Sequence, residues 1–212
     1  VLYLSAGKVA DRGPLAEDAR FYGLTTPLRE IFPANKCSDP TLYWDGFCQL
    51  RPALQLQSSC GCKYQCAFCL SAQDGSSGRK YRVTPARQIS DEIALALKKY
   101  RIQEFYFDDD DFAQDLGQVN RIFTCLRDQG IKIKWSAMAS LANLSLPVIE
   151  QFFDYGCIVL KLGIESASQR VLKSMHKSLD LKNIPGIISC CRKHGIKTQL
   201  TFSLGFLGET LD

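Results

Sequence analysis

With 212 residues and 46% hydrophobic content, the chain is long enough to bury a core of ordinary size, in one domain or one domain with an appendage. Its formal charge of +4 comes from 26 basic and 22 acidic residues that are interspersed, which excludes the basic stripe of a nucleic-acid binder. Apolar runs fall short of the ~18 residues of a membrane span and VLYLSAGKVA lacks the basic stretch of a secretory signal, so a cytoplasmic protein with no membrane or nucleic-acid partner is expected.

The chain opens on Val1 and closes on GFLGETLD directly after a strand-like run, as a piece of a longer protein would. Residues 1–50, with Pro14, Pro27, Pro33 and Pro40 scattered through them, read as an irregular lead-in, and residues 51–212 as the core. From there short apolar runs alternate with longer amphipathic ones. ALQLQSS alternates as a strand. TPARQISDEIALALKKY reads as a helix with Thr84 as N-cap, Pro85 in its first turn and a stripe of Ile89, Ile93, Leu95 and Leu97. QEFYFD is a strand, FAQDLGQVNRIFTCLRDQG a helix closed by Gly130, and IKIKWSAM a strand. The helix LSLPVIEQFFDYG follows, with Pro147 near its start and Gly156 past its end. CIVLKLGI is a strand, SQRVLKSM and KNIPGIISCCRKHG are helical, and IKTQLTFSLGF is the last strand. Five strands alternating with helices specify a parallel α/β sheet, either doubly wound and open or closing toward a barrel. Both arrangements gather the strands' carboxyl ends, and so the segments after them, on one face.

The first of those segments is GCKYQCAFC, where Cys62, Cys66 and Cys69 stand in the spacing C-x3-C-x2-C with Cys60 two residues before. Thiolates at this density call for zinc or an iron–sulfur cluster. Structural zinc wants four ligands, and only Cys60 brings the count to four. His176 and His194 fall in the late helical region and read as surface or helix-end residues. The remaining Cys37, Cys48, Cys125, Cys157, Cys190 and Cys191 lie mostly among apolar neighbours and read as small hydrophobes. After the second strand comes DDDD, a site for a ligand's cation or an acidic turn that caps a helix. Glu165 and Ser166 end the fourth strand, where a carboxylate can hold ribose hydroxyls or cap the next helix. Gly205 and Gly208 follow the fifth, as points of close backbone approach or plain turn glycines.

The cysteine spacing, with Phe68 directly before the third Cys and a strand before the whole, resembles the signature of the radical S-adenosylmethionine (radical SAM) enzymes. EFYFDDDDF, LGIESASQRVLKSMHK and TFSLGFLGET, in that order, resemble later strand ends of one subgroup. It includes cobalamin-binding radical enzymes, oxygen-independent magnesium-protoporphyrin ester cyclases and methylthiotransferases. The resemblance covers residues 51–212 and implies a partial (β/α)6 TIM-like barrel whose sixth strand lies beyond Asp212. It further implies a 4Fe-4S cluster on Cys62, Cys66 and Cys69, with one iron open to S-adenosylmethionine (SAM). By the same resemblance Phe68 serves the adenine, Asp109 and Asp110 the methionine ammonium, Glu165 and Ser166 the ribose, and Gly205 the adenosyl group. Reductive cleavage of SAM would yield a 5'-deoxyadenosyl radical that takes a hydrogen atom from a small-molecule substrate. The electron would come from a donor such as a flavodoxin or ferredoxin. Methyl transfer, ring formation and sulfur insertion are all within the subgroup's range; a metal-binding module without catalysis is the rival reading. Two departures stand out: Ser140 where many relatives carry an Arg after the third strand, and Leu207 where a Pro is usual. No Asp-x-His-x-x-Gly motif is present, so cobalamin would enter only through a domain outside this chain.

Overall fold

The computed structural model describes residues 2–5, 8–11, 47–69 and 81–210. Its centre is one parallel sheet of five strands: β3 (Ala53–Leu56), β6 (Glu104–Phe107), β7 (Trp135–Ala139), β8 (Cys157–Glu165) and β9 (Lys197–Phe202), side by side in that order. Sequential order means that every crossover runs the same way around the sheet. A doubly wound sheet would reverse its order at a switch point, so the barrel-type alternative holds, with the sheet left unclosed. The crossover helices are α1 (Ala86–Tyr100), α2 (Leu116–Asp128), α3 (Leu146–Asp154), α4 (Gln169–Ser174) and α5 (Ile184–Lys193). Two small antiparallel pairs lie outside the main sheet. One is β1 (Leu2–Ser5) with β2 (Lys8–Asp11), inside the stretch expected to be irregular; the other is β4 (Ser59–Cys60) with β5 (Arg82–Val83). Residues 12–46 of the expected lead-in lie outside the described residues.

All four residues of β6 are buried, as expected of a central parallel strand covered on both faces. α1 buries Ile89, Ile93 and Ala96, but Leu95 from the expected stripe is exposed. Nor does Thr84 cap this helix. Its N–H donates to the carbonyl of Ser58 and its hydroxyl reaches Gln57, so it fastens the β4–β5 ribbon instead. The helix expected from Phe112 breaks at Asp115, whose carboxylate accepts the Gln118 N–H at 2.9 Å and starts α2 there. Trp135 lies fully buried among Phe107, Phe112, Phe123 and Phe152, with ring centroids 5.0 to 5.8 Å away, and its indole N–H donates to the carbonyl of Tyr155. Each such ring contributes on the order of 2 to 3 kcal/mol through burial, so this cluster joins α2, α3 and the sheet into one core. Between α3 and β8 the chain requires glycine: Gly156 has φ +89°, and a Cβ there would meet the Ile133 carbonyl oxygen at 2.2 Å. Among the described residues no helix is long and apolar enough to cross a membrane.

Candidate functional site

The cysteine loop is seated by the acidic run that ends β6. Asp109 is 2% exposed, and its carboxylate accepts four hydrogen bonds. The Ser58 and Ser59 N–H groups donate to Oδ1 at 2.7 and 3.1 Å, and the two hydroxyls donate to Oδ2 at 2.5 and 2.8 Å. Asp110 accepts the N–H of Gly61 at 2.8 Å. Asp111, also buried, takes the Ser140 N–H at 2.9 Å and the Asn143 side-chain amide at 2.6 Å. Asn143 in turn accepts from the Lys63 ammonium at 2.8 Å and the Tyr64 hydroxyl at 2.9 Å. Gln114 takes the Lys63 N–H through its side-chain oxygen. On the far side the Ala67 N–H donates to the carbonyl of Met175 at the end of α4. Thus β6, β7 and α4 jointly hold residues 58–69 over the sheet's carboxyl edge.

Cys62, Cys66 and Cys69 are free thiols and half-buried. Burial pushes the Cys62 and Cys66 thiols above their ordinary range; Asp111 and Asp110 add to this at Cys62, while Lys177 opposes it at Cys66. Such thiols resist ionisation until a cation brings charge of its own. Among the described residues these sulfurs do not form a trio within 4.8 Å of one another. One tetrahedral ion, with metal–sulfur bonds of about 2.3 Å, would draw its sulfurs to roughly 3.8 Å. Binding a single ion would therefore require the loop to close by about an ångström or more. Cys60 lies in the β4–β5 ribbon, opposite Arg82.

The second part of the site forms where β8 and β9 end. Glu165 takes φ +68°, a left-handed conformation that costs a non-glycine residue about 1 to 2 kcal/mol. The bend turns its side chain back, so that Oε1 lies 3.4 Å from the Lys177 ammonium and Oε2 accepts the Ser203 hydroxyl at 3.0 Å. Gly163 makes room for this pair: a Cβ there would stand 2.4 Å from Glu165 Oε1. The Lys177 ammonium also lies 5.8 Å from the ring centre of Phe68, which is 36% exposed, and so links this corner to the cysteine loop. Glu165, Ser166, Arg170, Phe202, Leu204 and Glu209 contribute to a cleft of about 320 Å³. Ser166 is buried and accepts the Ser168 N–H at 3.1 Å. Gly205 does not line the cleft; its N–H, with that of Phe206, is held by the Glu209 carboxylate. Gly208 takes φ +83° with open space around it, as a turn glycine does.

The strand ends expected to converge do so, and hydrogen bonds cross between them: the Ser140 N–H donates to the Asp111 carboxylate and the Ser203 N–H to the Glu165 carbonyl. The sequence reading passed over Lys177, Arg170, Asn143 and Asp111. Lys177 carried a signal, since it lies in the quoted SMHK segment; Asn143 had none, being a polar residue between strand and helix.

The sequence profile of the Radical SAM superfamily matches residues 56–212 of this chain. The chain belongs to the radical SAM superfamily. It is 25% identical over 208 residues to an uncharacterized methyltransferase of Pyrococcus horikoshii, covering 98% of this chain and 43% of that protein. It is 28% identical over 167 residues to the bacteriochlorophyllide d C-12(1)-methyltransferase of Chlorobaculum tepidum, covering 76% of this chain and 34% of that one. The chain thus spans less than half the length of these curated relatives. Among solved structures its fold is similar to that of the radical SAM methyltransferase TsrM of Kitasatospora setae with tryptophan and a SAM analog bound. The TM-score is 0.66 at 15% identity over 74% of this chain and 31% of TsrM. This radical SAM fold therefore accounts for the sequential parallel sheet and for the cysteine loop lying over its carboxyl edge.

Proposed function

We propose that residues 51–212 form the core of a radical SAM enzyme, with Cys62, Cys66 and Cys69 as the three protein ligands of a 4Fe-4S cluster. The observation that carries this reading is the loop itself: three free thiols in the spacing C-x3-C-x2-C, held over the carboxyl edge of a parallel sheet. When bound, the cluster supplies the electron that cleaves SAM to methionine and a 5'-deoxyadenosyl radical, which removes a hydrogen atom from a small-molecule substrate.

The chain's own residues bind and orient. Glu165, bent over the cleft, offers a carboxylate to ribose hydroxyls, with Ser166 beside it. Phe68 presents a half-exposed ring, fixed by Lys177, as a surface for the adenine. Asp110 offers a charged acceptor to the methionine ammonium, while Asp109 keeps the turn in place. Arg170, on the cleft wall, supplies a guanidinium for a carboxylate, which Ser140 after the third strand cannot. Gly205 leaves the β9 turn open beside the cleft. Methyl transfer is favoured over ring formation and sulfur insertion, because the relative aligned along 98% of this chain is named a methyltransferase. A flavodoxin or ferredoxin would serve as electron donor, and cobalamin, if used, would need a domain outside residues 1–212.

The test is anaerobic reconstitution with iron and sulfide, addition of SAM and dithionite, and mass spectrometry for 5'-deoxyadenosine. Product from the parent and none from Cys62→Ala, Cys66→Ala or Cys69→Ala is expected. A fully loaded chain that binds SAM and releases no 5'-deoxyadenosine would leave only a cluster-bearing scaffold.

A further inference from the structure

On the outer helical layer, Glu150 of α3 faces Cys190 and His194 of α5, and one ligand atom from each lies within 4.8 Å of the other two. Cys190 and His194 are four apart and so share one face of the same turn, while Glu150 comes from forty residues earlier. α5 leads into the amino end of β9, so the trio sits at the opposite end of the sheet from the cysteine loop.

A second observation sets these residues apart from ordinary helix packing. His194 Nε2 is out of contact with solvent and has no hydrogen-bond partner among the described residues; the nearest Glu150 oxygen is 4.0 Å away. The ring is held by Phe153, with centroids 4.9 Å apart, so it does not swing freely toward water. A buried polar atom left unpaired in a well-packed protein calls for an explanation, and a missing ion is one. The distance to Glu150 is too long for a hydrogen bond and exceeds by about 0.6 Å the roughly 3.4 Å between nitrogen and oxygen ligands of a tetrahedral ion, a gap that rotation of the exposed Glu150 side chain can close.

We propose that Glu150, Cys190 and His194 form a second metal site, taking one zinc ion between α3 and α5. A mixed sulfur, nitrogen and oxygen donor set suits a borderline divalent cation, and three protein ligands leave a fourth position for water. On binding, the Cys190 thiol gives its proton to solvent and its sulfur bonds the ion; no electron is transferred. Thiolate and carboxylate together balance the ion's two positive charges. The ion clips α3 to α5 by a bond that neither helix makes alone.

The experiment is equilibration of the full chain with zinc chloride, removal of excess by gel filtration, and zinc analysis, with melting temperatures measured with and without zinc. The parent should retain one zinc more per chain than Cys190→Ser or His194→Ala. Each of these two changes should weaken binding at least a hundredfold, and Glu150→Gln about tenfold. Glu150 is 56% exposed, so its change leaves folding intact and keeps the test decisive if a helix variant fails to fold. Zinc should raise the melting temperature of the parent and of Lys193→Ala by more than that of the three site variants. Because the readout is a difference of one zinc, metal on Cys60, Cys62, Cys66 or Cys69 does not disturb it. Equal zinc content in the parent and in Cys190→Ser or His194→Ala, an unchanged zinc affinity in Glu150→Gln, or an equal melting shift in all variants, overturns the site.

Discussion

At the end of β6 two buried aspartates, Asp109 and Asp111, turn inward to the protein's own loops, whereas at the end of β8 a single glutamate stands on a left-handed backbone beside an open cleft. Asp109 is enclosed by four donors and Asp111 by the Ser140 and Asn143 groups. Glu165, Phe202 and Leu204 instead border unfilled space, with Phe202 56% and Leu204 90% exposed. Conspicuous charge in a sequence can therefore serve the fold as well as a ligand. The dense acidic run shapes the cysteine loop, and the isolated acid after an apolar strand faces the cleft.

The largest expected effect that separates these two ends is on folding. Asp109→Ala leaves two buried N–H groups and two hydroxyls without acceptors, and should lower stability by about 3 kcal/mol in urea denaturation. Asp109→Asn should recover most of that, because the serine hydroxyls can turn to accept from the new amide. Next in size is a binding effect at the other end. Glu165→Gln should weaken SAM binding by about tenfold, ~1.4 kcal/mol, in equilibrium titration of the cluster-loaded chain. Its effect on stability should be smaller than that of Asp109→Ala, since the Gln oxygen can accept from the Lys177 ammonium while its amide donates to the Ser203 hydroxyl, although the buried charge pair is lost. Equal losses of folding at both positions would erase the distinction.

The smallest effect is in pH. Burial raises the Asp109 and Asp111 carboxyls above their ordinary range, so the folded chain binds protons that the unfolded chain, with carboxyls near 3.9, has already released. Their contribution is full below about pH 3.9 and is lost as pH rises through the raised folded values. Asp109→Asn should flatten that limb of stability against pH, read from urea midpoints of the cluster-free chain, while Glu165→Gln should leave it in place.

Much of the frame was legible because parallel strands between helices declare themselves by period and by bounding residues: EFYF and CIVLKLGI fell where expected. IKIK misled, since its alternation mimics a strand while the ladder begins only at Trp135. Thr84 misled for a different reason, since a hydroxyl before a proline serves a ribbon as readily as a helix. The cysteine trio was legible from spacing, and Glu165 from a charge directly after an apolar run. Asp109 was placed but its four partners were not, because Ser58 and Ser59 lie fifty residues away in sequence. The Lys177 pairing depends on a left-handed turn at His176 and on the space left by Gly163, neither of which sequence period reveals. Glu150 and His194 meet only through helix packing, so His194 read as a plain helix-end residue.

Iron and sulfide analysis of Cys60→Ala beside Cys62→Ala bears most directly on the three-ligand loop. After reconstitution, Cys60→Ala should keep about four irons per chain, as a 4Fe-4S cluster requires, and Cys62→Ala should keep almost none. Equal loss in the two variants, with zinc bound in the parent, would contradict it.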